Sequence, residues 1–334
     1  VTSDPGRAEQ ARRIYPNARI FPTAEEAWEG GYDLAVVGTP NVTHFPYADG
    51  SLRRGMDVVL DKPITATSAL AQELATLATD VGKRLIPFQN RRWDSDFRTV
   101  CSVAASGELG RIHRLQSQVA KMRVITKDGW RGSDDPAIMG GQLYDLGSHL
   151  IDQALMLMGP VRSVFASARS IRPAHPADDD TLVVLEHTSG AVSTLIVSQV
   201  TAFTQPRFTL LGTHGGLRVD AYDIQENVLG DGVYPQPGKD GLAAWGHVDD
   251  VAILRTFDDA SVVTESQIGI MPGQWPAFYD QVSECLRNGA EPPVLIDDVV
   301  QDMRVLDAAR ESAATGAAVI LDPPAGHKSR AIAS

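Results

Sequence analysis

Three short apolar runs near the start of the chain restrict what it can fold into. They are Asp33-Leu34-Ala35-Val36-Val37-Gly38, Asp57–Leu60 and Arg84–Phe88. Each is continuously apolar rather than alternating, and helix-length stretches, Tyr47–Arg54 and Thr67–Val81, separate them. Strands of that kind must be covered on both faces, and strands joined through helices run parallel. The expected architecture is therefore α/β and doubly wound, with ligands beyond the carboxyl ends of the strands. Upstream, helices are expected over Arg7–Tyr15 and Ala24–Trp28, with a short strand over Ala18–Phe21.

After about residue 160 the pattern changes. Ser163–Ile171, Thr181–His187, Ala191–Val200, Arg207–Leu211 and Leu217–Ala221 are strand-like, several with period-two alternation, and Arg111–Met122 adds one more. Ser189-Gly190 and Thr213-His214-Gly215-Gly216 stand where hairpin turns belong. A large, mostly antiparallel sheet follows, with helices over Ala277–Arg287 and Asp297–Ala314. The expected division is residues 1–92, residues 93–322 in an α+β unit, and a flexible tail from 323 to 334.

With 334 residues the chain suits two domains of ordinary size. A formal net charge of −12, with no local Lys/Arg cluster, argues against nucleic acid or an anionic membrane as partner. No apolar run approaches the ~20 residues of a membrane helix. Cys101 and Cys285 are the two cysteines and lack metal-type spacing, so the expected compartment is a reducing cytoplasm and no metal site is expected.

Chemistry-bearing residues cluster in a few places. Lys62, in Asp61-Lys62-Pro63, falls at the carboxyl end of an expected strand, where a lysine serves a ligand or simply faces solvent. Asp145 and His149 lie four apart and share a helix face, which Asp152 extends by a turn. Before them Gly140-Gly141 permits close backbone approach. Read alone, Asp145 is equally a helix-start acceptor and His149 a core histidine; a metal pair lacks a third ligand at suitable spacing. Thr39-Pro40-Asn41-Val42-Thr43-His44 is either a capping turn or a cofactor-side loop, and Asn90-Arg91-Arg92-Trp93 is similarly placed after the last parallel strand.

Their order and spacing say more than any one of them. With Thr39-Pro40-Asn41 and His44, then Asp61-Lys62-Pro63, then Gly140-Gly141 and Asp145-x-x-x-His149-x-x-Asp152, the chain resembles the glucose-fructose oxidoreductase / inositol dehydrogenase / rhizopine-catabolism (Gfo/Idh/MocA) family. Asn90–Phe97, Trp130-Arg131 and Tyr144–Gln153 look most like its NADP-dependent scyllo-inositol dehydrogenase branch. The resemblance implies a Rossmann-type nucleotide domain and an oxidoreductase that moves a hydride between a secondary hydroxyl of a cyclic polyol or sugar and NADP or NAD. It implies Lys62, Asp145 and His149 as catalytic residues that also touch substrate, joined there by Trp130 and Arg131. For the cofactor it implies Thr39, Pro40, Asn41, His44, Lys62, Pro63 and Asn90. Aligned on the family's second strand, Thr2, Ser3 and Arg7 replace the acid that NAD-using members carry, and hydroxyls with a guanidinium suit a 2′-phosphate, so NADP is favoured. A homodimer or homotetramer through the antiparallel sheet is expected.

The family's Gly-rich phosphate turn would lie upstream of Val1. If the chain as written were the whole molecule, weak cofactor binding is expected, and a non-catalytic sensor or a cofactor-incompetent fragment on the same scaffold is the competing reading. The retained Lys62, Asp145 and His149 favour the enzyme, since a sensor needs no proton acceptor.

Overall fold

The computed structural model describes residues 1–123, 129–172, 176–235, 245–258 and 262–322. The tail from 323 to 334, expected to be flexible, lies outside the described residues. Helix α1 (Pro5–Ile14) starts where Asp4 accepts the Arg7 backbone N–H at 2.8 Å and proline occupies the first turn. Helix α2 is Ala24–Trp28. No strand forms over Ala18–Phe21: a turn returns the Ala18 N–H to Tyr15 O, and Phe21 O accepts from Thr2, so the segment joins no ladder.

Strand β1 (Leu34–Val37), helix α3 (His44–Arg53), β2 (Asp57–Asp61), α4 (Ser68–Asp80) and β3 (Leu85–Phe88) form a parallel sheet in the order β1-β2-β3. Its register pairs Val37 with Leu60 and Asp61 with Phe88. The residues that follow the three strands, Gly38-Thr39, Lys62 and Gln89-Asn90, therefore line one rim with Lys62 between its neighbours. Coverage on both faces holds for β2 and β3. It does not hold for β1, which is an edge strand with Val36 57% exposed.

Helix α5 (Ser95–Ser106) leads to β4 (Ile112–Ala120), and a π-helical turn (Leu143–Gly147) runs directly into α6 (Ser148–Met158). There follow β5 (Val161–Arg169), β6 (Asp180–His187), β7 (Val192–Ser198), β8 (Phe208–Gly212), β9 (Gly215–Val219), α7 (Gln225–Gly230), β10 (Val251–Phe257) and β11 (Val263–Gly269). The last elements are α8 (Pro276–Asn288), α9 (Ile296–Thr315) and β12 (Val319–Ile320). The nine strands β4–β12 make one sheet in the order β11-β10-β9-β8-β4-β7-β6-β5-β12; β4 and β7 pair in parallel and the other neighbours antiparallel. Helix α9 packs on β5 and also meets α4, α6 and β3, so it touches elements of both sheets. No helix among the described residues is long and apolar enough to cross a membrane.

The π turn is held by what precedes it. Gly141 has φ +84°, and a Cβ there would come within 1.9 Å of Asp178 Oδ1. That close approach lets Asp178 accept the Leu143 N–H at 2.8 Å through its carboxylate and the Gln142 N–H at 3.0 Å through its carbonyl. Both the left-handed backbone and the missing side chain are required. Gly141→Ala is expected to cost about 2 kcal/mol or more of stability in urea unfolding; an unchanged midpoint would show that the contact is dispensable.

Candidate active site

Lys62 leaves the rim of the parallel sheet and reaches the π turn. Its ammonium donates to Asp145 Oδ1 at 3.0 Å and to the Asp145 carbonyl oxygen. The Lys62–Pro63 peptide bond is cis, and Pro63 O faces Nδ1 of the buried His44 ring at 2.8 Å while Thr39 O faces its Nε2 at 2.9 Å. His44 thus straps the rim loop after β1 to the one after β2.

His149 sits in the first turn of α6 and is buried. Its Nδ1 lies 3.0 Å from Gln89 Oε1. An amide oxygen only accepts, so the neutral ring carries its proton on Nδ1 and keeps the Nε2 lone pair. Nε2 has no hydrogen-bond partner among the described residues. Burial, followed by the positive fields of Lys62, Arg91 and Arg207, holds the imidazole well below its ordinary 6.5. Burial works to raise the Asp145 carboxyl, but the charge and hydrogen bond of Lys62, with Arg131 and Arg91 behind, hold it below the usual carboxylate range. The result is a neutral base beside an ion pair.

These groups line a cleft of about 320 Å³ between the rim of the parallel sheet and the end of β4 and β7. Lys62, Asn90, Arg131, Asp145 and His149 all open onto it. Trp130 begins a short 3-10 turn, but its side chain lies outside the described residues. Asn41 is buried and donates to Met139 O at 3.1 Å, so its amide ties the first rim loop to the segment before the π turn. Thr39 and Pro40 are exposed beyond β1. Thr2, Ser3 and Arg7 cluster at the start of α1 and do not line the cleft.

Asp152 departs from the expected shared face. Arg92 takes its carboxylate through Nε at 3.0 and 3.1 Å, and the pair lines a separate cavity with Asp298 and Asp302. Asp152 lies three residues beyond His149 within α6, which rotates it roughly 60° away from that residue and onto Arg92. The sequence reading missed Gln89, although it directly precedes Asn90 in a segment already marked. Arg91 belongs to the marked Asn90–Trp93 segment without an assigned role and binds Glu226 at 2.7 Å and Asp94 at 3.2 Å; Gln142, likewise without a role, has its Oε1 buried without a partner in the cleft wall.

A nicotinamide nucleotide fits the rim beside this cleft. Nothing lies within 4 Å of where a Cβ on Gly38 would stand, so the backbone after β1 faces open space at the place a doubly wound sheet offers a nucleotide. Residues 1–89 match the family described as "Oxidoreductase family, NAD-binding Rossmann fold" of GFO/IDH/MocA, and residues 97–218 match the GFO/IDH/MocA C-terminal domain. Among curated proteins, an uncharacterized oxidoreductase of Escherichia coli, YdgJ, is 34% identical over 84% of this chain and 79% of its own. The scyllo-inositol 2-dehydrogenase (NADP(+)) IolW of Bacillus subtilis is 27% identical over 95% of this chain and 87% of its own. The crystal structure of an oxidoreductase from Bacillus cereus superimposes with a TM-score of 0.83 at 26% identity, covering 94% of this chain and 88% of that one. With a nucleotide-type sheet, a Lys62–Asp145 pair beside a neutral His149, and these relatives, the chain belongs to the GFO/IDH/MocA family of NAD(P)-dependent oxidoreductases that act on hydroxyl groups.

Proposed function

We propose that this protein oxidises a secondary hydroxyl of a cyclic polyol or sugar, or reduces the corresponding ketone, with NADP preferred over NAD. The observation that carries the reading is the lone pair of the neutral His149 in a cleft whose other polar anchor is the Lys62–Asp145 pair. When bound, the nicotinamide supplies the hydride acceptor. The protein's part is position and charge. His149 Nε2 accepts the hydroxyl proton, and Gln89 keeps the ring turned for it. Two of the three Lys62 ammonium hydrogens go to Asp145, leaving one for the substrate oxygen, whose growing negative charge Lys62 stabilises. Asp145 fixes the ammonium rather than the imidazole.

In this reading residues 1–92 hold the nucleotide through Thr39, Pro40, Asn90 and the backbone around Lys62-Pro63, and Thr2, Ser3 and Arg7 receive the 2′-phosphate. Arg131 and the cleft end of β4 and β7 bind the polyol. The face of the nine-stranded sheet away from α9 serves a homodimer or homotetramer. The IolW likeness supports the polyol and NADP parts.

Turnover of a panel of cyclic polyols and aldoses, at saturating NADP and then NAD, tests the reading. His149→Ala is expected to lower kcat by roughly 10²–10⁴-fold with NADPH affinity little changed, and NADP to give the higher kcat/KM. Full activity in His149→Ala would overturn the catalytic assignment, and equal efficiency with both cofactors the preference. Cofactor binding without turnover of any polyol would favour a sensor.

A second expectation concerns pH. The folded His149 titrates below its ordinary 6.5, so it is neutral at pH 7 and its protonation removes activity only as pH falls beneath that value. The unfolded chain takes up that proton earlier, so stability is also lost as pH drops from about 6.5 downward. The acid limb of kcat/KM should lie below 6.5; a limb at 7 or above contradicts the assignment. Gln89→Leu, which frees the ring, should reduce kcat on the order of 10²-fold.

A further inference from the structure

We infer that the ligand of this cleft carries an anionic group, a carboxylate or a phosphate, which docks on Arg123 at the sheet side of the cleft. The inference deepens the proposed function, since it names a feature of that site's substrate. It begins with charge. Lys62, Arg91, Lys121, Arg123 and Arg131 line the cleft against three carboxylates, Asp61, Asp145 and Glu226. The cleft is thus net positive in a chain whose formal charge is −12, an arrangement that draws anions into one place.

Two of those carboxylates are committed, Asp145 to Lys62 at 3.0 Å and Glu226 to Arg91 at 2.7 Å. Arg123 makes no ion pair among the described residues, and its side chain is half-buried. Its position is built. Val119, Lys121 and Arg123 follow one another at period two along the end of β4 and all line the cleft, while the intervening Met122 is 52% exposed. Beyond the strand, Lys121 and Arg123 donate their N–H groups to Ser198 O and Gln199 O, both at 2.9 Å. Arg172 clamps the same stretch, donating to Arg123 O at 3.1 Å and Gln199 Oε1 at 3.0 Å while its own charge is met by Asp179 at 2.7 Å.

A second observation points to a ligand. Gln142 Oε1 and Arg91 Nε are buried in the cleft wall with no hydrogen-bond partner. Buried polar atoms are seldom left unsatisfied, and a bound ligand or water at the cleft would complete these two. An arginine whose backbone is held in place and whose guanidinium meets no carboxylate among the described residues suits the two-oxygen edge of a carboxylate or phosphate.

Calorimetry of the full chain with glucuronate, glucose 6-phosphate and glucose, each at millimolar concentration, tests this without needing turnover. At least one anion should bind roughly ten- to a hundredfold tighter than glucose, and less tightly as salt rises; which one does so separates carboxylate from phosphate. Arg123→Gln should remove the preference, so that anion and neutral parent bind alike, while Arg123→Lys retains part of it. Equal binding of all three, binding of neither anion, or a preference that survives Arg123→Gln overturns the inference. Turnover of neutral polyols without anion preference would sink this inference alone, and anion preference without turnover would sink the dehydrogenase reading alone.

Discussion

The ion pair between Lys62 and Asp145 joins segments 83 residues apart and fixes where the two sheets meet the reacting groups. Both side chains are partly sheltered, at 18% and 34% exposure. Pairs in open solvent contribute about 0–1 kcal/mol, whereas breaking a fully buried one costs roughly 3–5 kcal/mol. This contact lies between those limits, so its main effect is on position. It holds an ammonium where water is scarce and keeps one of its hydrogens pointing to no protein acceptor.

Most of the surrounding structure reads as support for that contact. Asn41 bonds Met139 O, Tyr144 donates to Ala66 O at 3.1 Å, and α9 packs against elements of both sheets, so the two sides have several independent ties. The fully buried Arg207 meets Asp96 at 3.2 Å, Ser117 at 2.7 Å and Gln153 at 3.1 Å, and Gln153 in turn donates to Arg91 O at 2.9 Å. Burial pushes the carboxyls of Asp94 and Asp96 up, with Arg91 and Arg207 respectively opposing. A buried network with this many mutual bonds is stiff. Arg91 is held by this network through its carbonyl and Asp94 and by Glu226 at its Nη2, while its Nε has no partner among the described residues.

Sequence patterns carry the parts of this account that depend on periodicity. The continuous runs of β2 and β3 announce a parallel sheet, and the alternation in β5–β7 an antiparallel one. Lys62 is legible because it ends a buried strand, and Asp145 with His149 because their spacing survives the π turn. Asp152 shares α6 with His149 but meets Arg92, a partner that helix spacing alone does not announce. Strand β11, Val-Thr-Glu-Ser-Gln-Ile-Gly, is largely exposed and polar, so it has no apolar signature. Gln89, Arg91 and Arg123 belong to the site through tertiary partners remote in sequence. Arg91 sits in the marked Asn90–Trp93 segment, but no local pattern marks Gln89 or Arg123. The expected strand at Ala18–Phe21 fails for the complementary reason: strand-like residues form a strand only when a ladder partner is present.

A double-mutant cycle on Lys62 and Asp145, read through kcat/KM, tests the central claim most directly. Lys62→Met, Asp145→Asn and the double variant should be strongly non-additive, with a coupling of about 1–3 kcal/mol in transition-state stabilisation. The double variant should then be little worse than Lys62→Met alone. Losses that simply add, with coupling near zero, would mean that the two residues act separately and that the ion pair does not organise the site.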